Sequence, residues 1–205
     1  LSAVVLWSRF LSAPEGPQRR SGHPPPAPAS RRHDRHHVTR LELEPALRGE
    51  WLTVQQVDAR LPVPAPLRTE RRASHVFVMD VPAYDRILVV TDAAINIAPS
   101  LEEKADIAQN AIDLARALGV KLPKMAILSA VETVNSKIQS TLDAAALCKM
   151  ADRGQITGGI LDGPLAFDNA VSIVAAKTKG IKSAVAGHAE ILVVPDLESG
   201  NMVAK

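Results

Sequence analysis

From Ser74 onward, short apolar runs alternate with helical stretches, and turn residues separate them. This alternation limits the fold more than any other feature of the chain. His75 to Met79 (HVFVM) and Arg86 to Thr91 (RILVVT) read as strands around a turn at Pro82 to Asp85, spaced closely enough for a hairpin. Ser100 and Glu103 form an S-x-x-E capping box. Leu101, Ala105, Ala108, Ile112, Ala115 and Leu118 then follow at three- and four-residue spacing, and Gly119 supplies a left-handed stop. Lys124 to Ser129 is the next strand. Ser140 or Thr141 opens a second helix, with Asp143 placed to meet its dipole, and Gly154 closes it. Ile156 to Leu161 (ITGGIL) reads as a strand with glycines where backbones pass closely. Asp168 to Lys179 reads as a third helix with Asp168 as its N-cap, ended by Gly180. Ile191 to Val194 is a strand, and Ser199-Gly200-Asn201 begins a last helix. Such a pattern predicts an α/β fold with a parallel or mixed sheet and helices on its faces.

Residues 1 to 66 follow other rules. Ten of the 15 prolines lie there, and no lysine precedes Lys104. Such a stretch holds few backbone hydrogen bonds, so residues 11 to 40 are expected to be disordered, with a short helix or strand within 41 to 60. His33, His36 and His37 have loose metal-ligand spacing, but no Cys or carboxylate framework supports a closed site. A solvated basic segment is the simpler reading, so neither a metal nor a nucleic-acid partner is expected. Leu1 to Phe10 is too short to cross a bilayer, which argues against a membrane role. The single cysteine, Cys148, allows no disulfide framework and points to a reducing, cytoplasmic setting.

In sheets of this kind ligands bind outside the carboxyl ends of the strands. The residues after each run are small, polar and often acidic: Asp92 and Asn96; Ser129 and Glu132; Asp162, Asp168 and Asn169; Asp196, Gly200 and Asn201. Taken singly, each is better explained as a cap or turn residue. Recurrence at four edges favours a shared cleft for an anionic ligand. Gly200-Asn201 reads as a strand-to-helix turn with backbone N–H groups free to meet a phosphate. His188 reads as a loop residue, and Cys148 as a small apolar filler rather than a nucleophile. No P-loop or dinucleotide fingerprint occurs.

Three segments carry a more specific signal: TDAAIN, DGPLAFDNA and VPDLESGN, within a stretch from Leu67 to Lys205. That stretch resembles the phosphate acetyl/butyryltransferase family, most closely its butyryltransferase-like branch. The resemblance implies a three-layer α/β/α fold with a mixed, mostly parallel sheet, of isocitrate/isopropylmalate dehydrogenase type, and a homodimer when complete. It implies reversible acyl transfer between phosphate and coenzyme A, with coenzyme A as substrate and no further cofactor. The ten strand-end residues carry over as cleft positions, with Asp168 a weak candidate for catalysis. Residues 1 to 66 do not resemble the family's first domain. The Ser-Arg pair and acidic residue that family members use for chemistry have no counterpart before Lys205. The expectation is therefore a truncated domain, weak or inactive by itself, with an inactive α/β fragment as the alternative.

Overall fold

The computed structural model describes residues 2–7 and 71–205. The expectations for residues 11 to 40 and 41 to 60 lie outside these. Six strands form one sheet: β1 (Ser2–Trp7), β2 (His75–Asp80), β3 (Leu88–Thr91), β4 (Lys124–Leu128), β5 (Ile160–Leu165) and β6 (Ile191–Val193). The described residues also form five helices: α1 (Leu101–Ala117), α2 (Gln139–Asp152), α3 (Phe167–Val171), α4 (Ile173–Thr178) and α5 (Leu197–Ala204). The strand order is β1-β2-β3-β6-β4-β5. β1 and β2, and β2 and β3, pair antiparallel, so the expected hairpin is present. The pairs β3–β6, β6–β4 and β4–β5 are parallel.

Alternation along the strands gives each face its own core. Val76, Val89, Met125, Ile127, Ile191 and Val193 face α1 and α2, where Ala108, Ile112, Ala144 and Leu147 meet them. Val90, Ala126, Leu128, Leu192 and Val194 face the other way, towards Ala170, Ala176, Val185 and Ala189. Both faces are apolar, as nearly continuous apolar strands require. Fully burying each Val, Leu or Ile contributes about 1.5–3 kcal/mol.

Local chemistry sets most boundaries as expected. Ser100 caps α1 with Glu103 in a reciprocal capping box, and Gly119 follows its end at φ +100°. Other boundaries differ, among them the start of α2, which opens at Gln139 behind Ile138 and not at Ser140 or Thr141. The run from Ile156 splits, because Gly158 turns the chain at φ +84° and Ile156 drops into the α1–α2 core. The strand therefore starts at Ile160 and includes Asp162, Gly163 and Pro164. The third helix breaks at Ser172, which is extended and caps α4 by accepting from the Ala175 N–H. Ala166 is the N-cap of α3, so Asp168 is a first-turn residue and not a cap. Asp196 caps α5 three residues earlier than expected. In α2, Asp143 lies past the first turn and pairs with Lys104 instead of the helix dipole.

The four mutually parallel strands, β3, β6, β4 and β5, end on one edge of the sheet. Neighbouring strands lie about 4.8 Å apart, so their tips span about 15 Å. At the opposite edge, Glu190 accepts from the Lys124 backbone N–H (2.7 Å) and from Arg86 (3.0 Å), which closes that side.

Candidate functional site

At the tip of β3 the carboxylate of Asp92 is 3% exposed and saturated. It accepts from the backbone N–H groups of Ala94 and Ile95 (both 3.0 Å) and Asn96 (3.3 Å), and from the Asn96 side-chain amide. Asn96 also donates to the Ala73 carbonyl (3.1 Å) and accepts from Arg72 (3.1 Å). Arg72 is paired with Glu103 as well. Asp92 and Asn96 thus build the loop itself, because a carboxylate with four donors has little left for a ligand. Asn201 joins this loop from α5, donating to the Ala93 carbonyl (3.2 Å).

At the tips of β4 and β5, two expected residues meet. The Asn169 amide donates to Glu132 (2.5 Å), and the Lys179 ammonium approaches the same oxygen (3.4 Å). The backbone N–H of Glu132 is the largest influence holding its carboxyl below the usual range. Lys179 and Asn169 add to it, against an opposing effect of burial. Asn169 is fully buried and its Oδ1 has no partner. The Ser129 and Ser140 hydroxyls share a hydrogen bond (2.8 Å), and the Ser129 N–H donates to Leu165, tying the two tips together. Asp168 is exposed, and one of its oxygens accepts from the Asn169 N–H (2.9 Å). Asp162 does not join the tips. It lies within β5 opposite Ala126, where Oδ1 accepts from the Gly163 N–H (2.9 Å).

At the tip of β6, Asp196 accepts from the Ser199 N–H and hydroxyl (both 2.8 Å). The Ser199 N–H is the main cause of its lowered pKa. The Ser199 hydroxyl and the Lys104 ammonium add to the effect. Gly200 is not at a turn. It is a buried residue inside α5, and its N–H donates to the Asp196 carbonyl (3.1 Å), so it is not free for a phosphate. Its lack of a side chain serves packing: a Cβ there would lie 2.6 Å from Val194 and 2.9 Å from Ala93.

Two further groups at this edge escape a reading of the sequence. The first is the buried ion pair of Lys104 and Asp143, 2.6 Å apart and each 5% exposed. The second is His75, 4% exposed, with an unpartnered Nδ1. Burial lowers the pKa of His75, partly offset by the nearby Asp92 carboxylate. Only the capping box of α1 signals that Lys104 lies near the edge. Elsewhere, burial pushes the Cys148 thiol up to about 12, which suits a filler and not a nucleophile. His188 lies in a loop, half-buried. A shallow depression lined by Asp113, Arg116, Gly119 and Lys121 lies at the far end of α1, away from the strand tips. No described helix is long and apolar enough to cross a membrane.

Comparison with known proteins adds a second line of observation. The model of a family described as phosphate acetyl/butaryl transferase matches residues 49–205. The chain is 70% identical over 139 residues to a phosphate acetyltransferase of Rhizobium meliloti, covering 68% of this chain and 44% of that protein. It is 50% identical over 139 residues to a phosphate butyryltransferase of Clostridium acetobutylicum, covering 68% of this chain and 46% of that protein. Among solved structures, a branched-chain phosphotransacylase from Enterococcus faecalis V583 superposes with a TM-score of 0.62 at 32% identity, over 78% of this chain and 53% of that one. The chain spans about half the length of the curated relatives it matches.

Proposed function

Because the chain belongs to the phosphate acetyl/butaryl transferase family, we propose that it serves reversible transfer of an acetyl or short-chain acyl group between phosphate and coenzyme A. The reaction is acyl-coenzyme A plus phosphate giving acyl phosphate plus coenzyme A. One observation carries the reading beyond family membership: the four parallel strands end on a single edge of the sheet, and polar residues follow each end. An open edge of that kind is where α/β sheets take ligands.

The chemistry asks for little from the protein besides placement and charge. In the reverse direction the thiol of coenzyme A attacks the acyl carbonyl of acyl phosphate. A carboxylate takes the thiol proton and phosphate departs, held by cationic and N–H donors. Asp92 is an unsuitable base, since its oxygens are already filled. Glu132 is held ionised by its own N–H, Lys179 and Asn169, which makes it a poor proton acceptor. Asp168 is exposed, with one oxygen outside any hydrogen bond among the described residues, and is our candidate for that proton. Ser129, Asp196 and Asn201 complete the rim, while Asp162, Asn96 and Gly200 support it from within.

The same reading includes a three-layer fold of isocitrate/isopropylmalate dehydrogenase type, a homodimeric assembly, a cytoplasmic setting, and coenzyme A as substrate with no added cofactor. Calorimetric titration with coenzyme A and with phosphate tests it, followed by an assay of thiol release from butyryl-coenzyme A in phosphate. Saturable binding of both ligands is expected. A folded chain that binds neither would defeat the reading. Binding without thiol release would leave an α/β unit that holds the substrates but does not turn them over.

A further inference from the structure

The Lys104 ammonium makes one hydrogen bond among the described residues, to Asp143 at 2.6 Å, and Asp143 in turn accepts from Gln139 at 2.8 Å. An ammonium carries three N–H donors, so two of them have no acceptor within the described chain. The residue is 5% exposed, deep enough for its hydrogen bonds to count for more than they would in water. A buried ion pair is weak evidence for stability, because apolar side chains of similar volume often serve as well. The surroundings would suit such a replacement, since Ala108, Ile112, Ala144 and Leu147 already pack α1 against α2.

The position of Lys104 gives a reason for keeping the charge. It lies in the fourth position of α1, the helix that leaves the tip of β3. Its field reaches Asp196, which caps the helix leaving the tip of β6. The ammonium therefore lies near the strand-tip edge, within electrostatic reach of the helix that leaves β6. Asp143 cancels its net charge but leaves two oriented donors, the arrangement that stabilises an oxyanion in a site shielded from water.

We infer that Lys104 is a substrate-binding residue, whose two spare N–H groups are given to an oxygen of the phosphoryl group at the strand-tip edge. The inference rests on the acyltransferase reading and adds to it the group that holds phosphate. Lys104→Met alone would strand a buried carboxylate, so the decisive variant is Lys104→Met with Asp143→Leu, which removes both charges together. Phosphate and coenzyme A affinities are measured by calorimetry for the native chain and the double variant, with thermal melting to verify folding. The double variant is expected to melt near the native temperature and to bind phosphate at least about tenfold more weakly, since even one charge-assisted hydrogen bond lost has that effect. A folded double variant that binds phosphate within about twofold of the native chain would overturn the inference. If the double variant does not fold, the native chain labelled with ¹⁵N-lysine decides. A Lys104 ammonium signal that moves saturably with phosphate supports the assignment, and one that stays still while phosphate binds overturns it. A native chain that binds neither ligand defeats the acyltransferase reading itself, and the Lys104 assignment with it.

Discussion

The carboxylate of Glu132 accepts a hydrogen bond from the amide of Asn169, 37 residues away, and this bond joins the loop after β4 to the helix after β5. Its two ends differ in environment. Asn169 is fully buried with its Oδ1 unpartnered, while the Glu132 side chain is 22% exposed and shared with Lys179. Substitutions at Asn169 should therefore rank by charge. Asn169→Leu removes an unsatisfied buried carbonyl along with the bond, and Glu132 can turn to water, so the expected loss is about 1 kcal/mol. Asn169→Asp places a buried anion against Glu132 and should cost about 3 kcal/mol or more. Urea denaturation of both variants checks the order, and equal losses would contradict it.

The Lys104–Asp143 pair makes a separate prediction about stability. Removing one partner leaves a charge in a site that excludes water, so Lys104→Met should destabilise by about 3–5 kcal/mol. Adding Asp143→Leu to it should recover most of that loss, because the neighbouring side chains are apolar. Chemical denaturation of the single and double variants measures the recovery. A double variant as unstable as the single one would mean that the pair itself, and not the stranded charge, stabilises the fold.

Gly200→Ala sets helix propensity against space. Inside a helix this change ordinarily stabilises by up to about 1 kcal/mol. Here the added Cβ would lie 2.6 Å from the Val194 side chain, 2.9 Å from the Cβ of Ala93 and 3.0 Å from its Cα. The Ala93 backbone belongs to the loop that Asp92 organises, so it cannot retreat freely. Overpacking of this kind costs about 1–3 kcal/mol, and the net expected outcome is a lower melting temperature. A melting temperature that rises would show that α5 can slide outward.

These residues mark the line between what the sequence discloses and what it hides. The capping box at Ser100, the hairpin of β2 and β3, and the stop at Gly119 were legible because each depends on residues a few positions apart. The common edge for Asp92, Ser129, Asn169 and Asp196 was legible because parallel strands must end on one side. Asp162 was misplaced because a glycine at positive φ broke an apolar run that composition alone presents as continuous. Gly200 was misread because its partners, Ala93 and Val194, become neighbours only once β3 and β6 lie side by side. Lys104 and Asp143 are 39 residues apart, so nothing local announces a buried pair.

His75 extends the same point to pH, since it reads as part of an apolar strand and yet is titratable. It lies at the start of β2, one position before Val76, which pairs with Thr91. Burial lowers its pKa below the usual 6.5, and Asp92 only partly restores it. The folded state therefore binds the proton less readily than the unfolded chain does. Above pH 6.5 neither state is protonated there, and the contribution to stability is complete. As pH falls below 6.5 the unfolded chain takes up a proton that the folded chain refuses, and stability declines until the folded pKa is passed. Asp196 and Glu132 have lowered pKa values, so their losses begin only at more acidic pH, below their usual 3.8 and 4.5. Among the described groups with a shifted pKa, this imidazole alone titrates between about pH 5 and 6.5. Urea midpoints measured across that interval should fall with acidification in the native chain and flatten in His75→Leu. An unchanged slope in the variant would assign the titration to another group.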